Sequence, residues 1–330
     1  MFFGVEQLAK AYDGKSVFQD VAFVVEQGEV VSLVGPSGVG KTTLLKIIAG
    51  LERADQGRLV FQRQPSRLRP VLLVFQDYVL FPNLTVFENV AFGLRVRRMP
   101  ASELLEKVRE ILEYFQLWEL RGRFPNQLSA GQRQRVAIAR AMVVNPMLLL
   151  LDEPFANLDR NLKMSTAEFI RNTQKAFGVT TISVTHDLEE AFVMSDRIGL
   201  MLEGGLVQFD RPDKVYSRPA SRAIAEFLGP LNEIPPDVRA LLGVPCTIHE
   251  GERSVFARPE AIALELDPQG PGLVREAVFA GHHVRYLVEV GTTLLTVYGP
   301  NNELHNGFQR GQRVRPRILH CIEPQGGDTA

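Results

Sequence analysis

The stretch Val30-Val31-Ser32-Leu33-Val34-Gly35-Pro36-Ser37-Gly38-Val39-Gly40-Lys41-Thr42-Thr43 decides how this chain folds. Its first five residues form an apolar run that stops at Gly35, the pattern of a buried strand. From Thr42 to Leu51 the residues favour a helix that ends at Gly50 or just after it. Strand, glycine-rich loop and helix in that order are the repeating unit of an α/β protein. Within the unit, Gly35, Pro36, Ser37, Gly38, Val39, Gly40, Lys41 and Thr42 satisfy G-x-x-x-x-G-K-[ST], with Thr43 following on the helix. The spacing has a physical reason. Glycines let successive backbone N–H groups point inward at a chain of phosphates, and the positive end of the helix adds to that field. Lys41 brings a point charge to the same oxygens, and the Thr42 hydroxyl suits Mg²⁺, an ion that prefers oxygen ligands.

Two further runs extend the sheet. Leu148-Leu149-Leu150-Leu151 is wholly apolar, and Thr180 to Val184 reads as another strand; each follows a helical stretch, as expected of a parallel sheet covered on both faces. The first delivers Asp152 and Glu153 at its C-terminal edge, where open α/β sheets bind ligands. Asp152 is the candidate to hold magnesium together with Thr42, and Glu153 the candidate to polarise an attacking water. An acidic residue often ends an ordinary strand; beside a phosphate loop the catalytic reading takes precedence.

Between these strands, Leu104, Leu105, Val108, Ile111, Leu112 and Phe115 recur at helical spacing, with Ser102 placed as a cap. Residues 77–140 therefore read as a helical insertion. Gly229-Pro230 and Pro235-Pro236 break regular structure and mark a boundary, so the expected domains are 1–235 and 236–330. Past it, Val284, Tyr286, Val288 and Val290 alternate with more polar neighbours, Gly291-Thr292 offers a turn, and Leu294 to Tyr298 continues the β pattern. The last third is read as a small all-β domain.

Composition narrows the classes. The 330 residues carry a formal net charge of -1 with 45% apolar residues, an ordinary globular balance without the basic field that nucleic-acid binding requires. Arg95 to Arg98 and Arg133 to Arg140 are short and mixed with apolar residues, so they read as local surfaces. Cys246 and Cys321 lie far apart in the sequence, and His282-His283 read as solvated or packed. The longest apolar runs fall far short of the roughly 20 residues of a membrane-spanning helix. The N-terminus does not read as a secretion signal.

A phosphate loop is shared by many NTPases, but Leu128-Ser129-Ala130-Gly131-Gln132, just before a helix and the Asp152 strand, resembles the LSGGQ signature of the ABC ATPases, departing from it only at Ala130. Gln76 resembles the family's Q-loop glutamine, Asp159 in Asn157-Leu158-Asp159 its D-loop aspartate, His186 its switch histidine, and Tyr12 the aromatic that stacks on adenine. The likeness covers about residues 4–235. Val255-Phe256-Ala257-Arg258-Pro259-Glu260 resembles the opening of the TOBE domain behind one group of importer ATPases.

This resemblance implies a P-loop NTPase fold, with a RecA-like core, a helical subdomain and an antiparallel β subdomain, followed by a small OB-like barrel. It implies ATP and Mg²⁺ as ligands, with Gln76 joining Thr42 and Asp152 at the metal. The subunit would be a homodimer on the cytoplasmic face of the inner membrane, with Ser129, Ala130, Gly131 and Gln132 of one copy facing the γ-phosphate held by the other. Separate membrane permease subunits would carry the solute, delivered by an extracytoplasmic binding protein. Related subunits serve polyamines, inorganic anions, ferric iron or sugars, and the residues do not distinguish among them. Two other readings make different demands on the sequence. A soluble ABC ATPase acting on nucleic acid or ribosomes would carry a long coiled-coil insertion or a second ATPase unit, neither of which is in the sequence. A regulatory chain without catalysis is opposed by the complete set Lys41, Asp152, Glu153 and His186.

Overall fold

The computed structural model describes residues 1–156, 160–242, 255–301 and 307–322. The chain divides into two compact units, Met1–Pro212 and Asp213–Ala330.

In the first unit, β1 (Phe3–Tyr12) and β2 (Lys15–Val25) form a hairpin. Its loop is Asp13-Gly14, both at positive φ, the backbone that a two-residue turn needs to match strand twist. Then come β3 (Val30–Val34), α1 (Lys41–Ile48), β4 (Gln56–Phe61) and β5 (Val71–Val74). Three helices follow, α2 (Val86–Val96), α3 (Ala101–Tyr114) and α4 (Ala130–Met142). The unit closes with β6 (Leu148–Asp152), α5 (Arg160–Phe177), β7 (Thr180–Thr185), α6 (Leu188–Met194), β8 (Arg197–Leu202) and β9 (Gly205–Asp210). The main sheet has the order β5-β6-β7-β3-β8-β9, parallel except for β9; a second, antiparallel sheet has the order β2-β1-β4.

The apolar run of β6 is explained by its two neighbours. Leu148 and Leu150 pack into a core with Leu44, Leu45, Ile47 and Ile48 of α1, while Leu149 and Leu151 pack with Val90 and Leu94 of α2 and Val136 of α4. Alternate side chains thus meet different layers, and each buried leucine contributes roughly 1.5–3 kcal/mol. Because β6, β7 and β3 are adjacent and parallel, their C-terminal ends place Asp152, Thr185 and Gly35 along one edge of the sheet.

The helical insertion is present, with two local differences from expectation. Leu104, Val108, Ile111, Leu112 and Phe115 are buried, but Leu105 is exposed, since the core-facing stripe of α3 is narrower than the run of leucines suggests. Ser102 does not cap the helix. The chain enters α3 through Pro100 without a side-chain cap, one residue before the helix begins at Ala101. The phosphate-loop helix ends as read: Gly50, at φ 72°, donates to Ile47 and Leu51 donates to Lys46, the paired bonds of a glycine-terminated helix.

The second unit begins within α7 (Pro212–Ser217) and continues with α8 (Arg222–Phe227), β10 (Asn232–Ile234), α9 (Pro236–Leu242) and β11 (Val255–Ala257). It continues with β12 (Ile262–Leu266), β13 (Gly272–Phe279), β14 (His283–Val290), β15 (Thr293–Pro300) and β16 (Arg313–Ile318), an antiparallel sheet in the order β12-β16-β13-β14-β15. Tyr286, Val288 and Val290 face its core, as their alternation predicts, and Val290 pairs with Thr293 across Gly291-Thr292. The prolines at 235–236 lie within this unit. β10 just before them pairs with β11, and Ile234 and Val238 on either side join the β core. Arg258 of the Arg258-Pro259-Glu260 segment is buried and donates to the carbonyls of Ala225, Gly229 and Pro230, tying α8 to the sheet.

Candidate nucleotide site

The loop between β3 and α1 is shaped by two glycines. A Cβ on Gly35 would lie 2.2 Å from the Met201 carbonyl oxygen on β8, so the loop leaves the sheet where only a hydrogen fits. Gly40 has φ 101°, and a Cβ there would also meet Val17 and Phe18 of β2. Gly40 is the N-cap of α1, with no side-chain cap and no acidic residue in the first turn. Among the described residues the amides of Gly38, Gly40, Lys41 and Thr42 take no protein acceptor, which leaves a set of donors at a positive helix end.

Lys41 lies over this cradle. Its ammonium donates to the carbonyls of Gly35 at 2.6 Å and Pro36 at 2.9 Å and is 5% exposed. Burial pulls its pKa below the ordinary lysine value, against Glu153 and Asp152, whose charges raise it. The Thr42 hydroxyl donates to Asp152 at 2.9 Å. Asp152 is 6% exposed, and burial pushes its carboxyl up, opposed by the Thr42 bond and by Lys46 and Lys41, while the Glu153 charge pushes it further up. A hydroxyl and a buried carboxylate at this separation are a hard-oxygen pair of the kind magnesium takes, so these residues fit that ion.

Glu153 adopts φ 43°, unusual for a residue with a side chain, and its amide donates to Val184 on β7 at 3.0 Å. This aims its carboxylate at His186, whose Nδ1 lies 3.2 Å from Glu153 Oε2. The imidazole therefore turns its other nitrogen away from the acid. Gln76 is exposed in the turn after β5. Two residues on, Tyr78 donates to the Pro154 carbonyl at 2.9 Å, and Gln134 of α4 donates to the same oxygen at 2.7 Å. One carbonyl beside Glu153 thus ties the Gln76 turn to α4. Sequence reasoning missed this junction, because no spacing signals a backbone acceptor.

Ser129 is the N-cap of α4 in a capping box: its hydroxyl accepts from the Gln132 amide, and the Gln132 side-chain oxygen accepts from the Ser129 amide. The amides of Ala130 and Gly131 take no acceptor among the described residues, so alanine in place of glycine leaves both donors at the helix tip uncovered. Tyr12 ends β1 and is 46% exposed, and the Lys10 ammonium sits 5.1 Å from its ring centre. Asp159 lies outside the described residues.

Phosphate loop, paired acids and histidine therefore converge, and comparison with known proteins takes the same direction. Residues 18–156 match the ABC transporter family model, and residues 255–318 match the TOBE domain model. The chain is 37% identical to the sulfate/thiosulfate import ATP-binding protein CysA of Xylella fastidiosa (strain Temecula1), over 94% of both chains. The chain belongs to the ABC transporter family. This ABC ATPase is also 39% identical to the spermidine/putrescine import ATP-binding protein PotA of Chromobacterium violaceum, covering 90% of this chain and 91% of that one. Among solved structures it resembles cbiO1 of Clostridium perfringens, part of the ABC transporter complex cbiONQ, at TM-score 0.61 and 31% identity over 65% of this chain and 90% of that one. It also resembles an ATP-binding cassette solved as a dimer after hydrolysis with ADP and Pi, at TM-score 0.56 and 30% identity over 64% of this chain and 99% of that one. No helix among the described residues is long and apolar enough to cross a membrane.

Proposed function

We propose that two copies of this chain close around two ATP molecules and that hydrolysis reopens them, driving uptake of a solute through separate membrane permease subunits. The observation that carries the reading is the Lys41, Thr42, Asp152, Glu153 and His186 constellation at one sheet edge, with the uncapped amides of the phosphate loop beside it. The amides of Gly38, Gly40, Lys41 and Thr42 and the Lys41 ammonium bind the β- and γ-phosphates, and Tyr12 stacks on the adenine. Thr42 and Asp152, with Gln76, hold magnesium, which when bound neutralises charge on the phosphate oxygens. Glu153 accepts a proton from a water aligned with the γ-phosphorus, the new P–O bond forms as the bond to the β-bridging oxygen breaks, and ADP and phosphate result. His186, oriented by Glu153, donates from Nε2 to the γ-phosphate.

The charge on the far side of that phosphate is met by the α4 tip of the second copy, where Ser129, Ala130 and Gly131 present a positive helix end. Docking to the permease is supported by an apolar surface at the start of the helical insertion. Phe81 and Phe92 meet at a tilt with centroids 4.5 Å apart, and both are exposed, as is Val79. The proposed site of work is the cytoplasmic face of the inner membrane. The relatives named for sulfate/thiosulfate and spermidine/putrescine import support a small charged solute.

The test is turnover and company. Lys41→Ala is expected to abolish ATP hydrolysis, and the wild-type chain expressed with its neighbouring genes is expected to co-purify with integral membrane subunits. Normal turnover in Lys41→Ala would overturn the phosphate site, and recovery with RNA in place of membrane subunits would overturn transport.

A further inference from the structure

His186 stands on a single-residue link between β7 and the cap of α6, half exposed, and such a side chain is placed only as well as its backbone is held. Both neighbours are tied. The Thr185 hydroxyl donates to Glu190 Oε2 at 2.5 Å and accepts from the Asp187 amide at 3.0 Å, a closed loop around the histidine's own peptide. Asp187 caps α6 by accepting from the amides of Glu189 and Glu190. The second Glu190 oxygen lies 3.1 Å from the Lys163 ammonium on α5, which also stands 3.7 Å from Asp187.

Glu190 is 3% exposed. A buried carboxylate is costly unless fully partnered, and this one uses both oxygens. Burial pushes its pKa up, while Thr185 and Lys163 hold it down. Partial burial likewise pulls Lys163 down, yet Glu190 and Asp187 hold it above its ordinary value. At the third position of α6, Glu190 could have closed a capping box on its own N-cap. Instead it reaches past the histidine to Thr185. That choice gives nothing extra to the helix and fixes the strand end before His186.

We infer that Glu190 and Lys163 are positioning residues for His186, holding the Thr185-His186-Asp187 peptide so that the imidazole faces both Glu153 and the terminal phosphate. The inference rests on the proposed contact of His186 with the γ-phosphate. Lys163 places the control of that histidine on α5, an element outside the phosphate loop.

A double-mutant cycle on the full chain tests it, with ATP turnover, ATP affinity and melting temperature read for each variant. Glu190→Gln keeps an acceptor for Thr185 and removes the charge that Lys163 holds. Its kcat is expected to fall about ten-fold, the effect of a slightly misplaced catalytic group, with ATP affinity held within about two-fold. In a His186→Ala background, whose residual rate is read by radiolabelled phosphate release, adding Glu190→Gln is expected to cost nothing more. Should Glu190→Gln fail to fold, Lys163→Gln, altered at a less buried side chain, gives the same cycle. A loss by the same factor with and without His186 would overturn the positioning role. Unchanged kcat in both single variants would do so as well. Full turnover in His186→Ala alone would sink the γ-phosphate reading, and this inference with it.

Discussion

Replacing Gly35 by alanine tests how the phosphate loop is built. The added Cβ would sit 2.2 Å from the Met201 carbonyl oxygen, 3.1 Å from Val39 Cγ1 and 3.2 Å from the Met201 carbonyl carbon. The nearest obstacle is backbone of a central strand, paired to β3 through Val34 and Leu200, so no side-chain rotation relieves it. Reaching an ordinary contact requires the loop to move by about 1 Å, and overpacking of this kind costs about 1–3 kcal/mol of stability. The larger effect falls on the ligand. Losing alignment of two amide-to-phosphate hydrogen bonds, at about 1.5–3 kcal/mol each, weakens ATP binding by about 3–6 kcal/mol, or roughly 10² to 10⁴ in Kd. Titration calorimetry with ATP, beside a thermal melt, reads both numbers. Gly50→Ala supplies the control: its φ is 72° with nothing near the added carbon, so it carries backbone strain of about 1 kcal/mol without touching the loop. If Gly35→Ala bound ATP within three-fold of the Gly50→Ala control, the steric account of the loop would be refuted.

Asp152→Asn should stabilise the nucleotide-free protein while removing turnover. The folded chain holds Asp152 above its ordinary value, so the stability tied to its neutral form is lost as pH rises through that raised value. Asparagine keeps an acceptor for Thr42 and never ionises; at pH 7 melting should rise by about 2–4 °C, and a lower melting temperature would contradict the burial argument. Tyr12→Ala is expected to raise the KM for ATP by about 5- to 100-fold, the worth of one base stacked on an aromatic ring, with Tyr12→Trp restoring it; an unchanged KM in Tyr12→Ala would remove adenine stacking from the account. Ser129→Ala breaks the capping box and should cost about 1 kcal/mol of stability, visible as a drop in denaturation midpoint; an unmoved midpoint would mean that α4 is held by packing alone.

Much of this was legible from the residues, because strong local rules acted in the same direction. Val30 to Val34 had to be a covered strand, Gly35 to Thr42 could serve only a narrow purpose between strand and helix, and Gly50 ended the helix by adopting a conformation that disfavours a side chain. The strand order was not legible in the same way. That β6, β7 and β3 lie side by side, bringing Asp152, Thr185 and Gly35 together, is a non-local fact of the sheet. Ser102 and Leu105 show the limits of periodicity: one turn of helix is too short to tell a cap from a first-turn residue, and the width of an apolar stripe depends on what lies opposite. Pro235-Pro236 reads locally as a break, yet the neighbouring Ile234 and Val238 bury themselves among the β-strands, which sequence spacing does not show. Glu190 carried a faint signal, an acid three residues after Asp187, but its actual partners, Thr185 and Lys163, come from the folded arrangement.

The central claim is that a complete catalytic site requires two copies of the chain, the phosphate loop of one facing the Ser129 helix tip of the other. Sedimentation velocity of Glu153→Gln, with and without ATP and magnesium, tests it most directly. The account predicts that nucleotide shifts this hydrolysis-blocked protein from monomer to dimer and that Ser129→Arg, placed at the facing helix tip, prevents the shift. A chain that binds ATP yet sediments as a monomer at every concentration, alone and with its membrane partners, would contradict it.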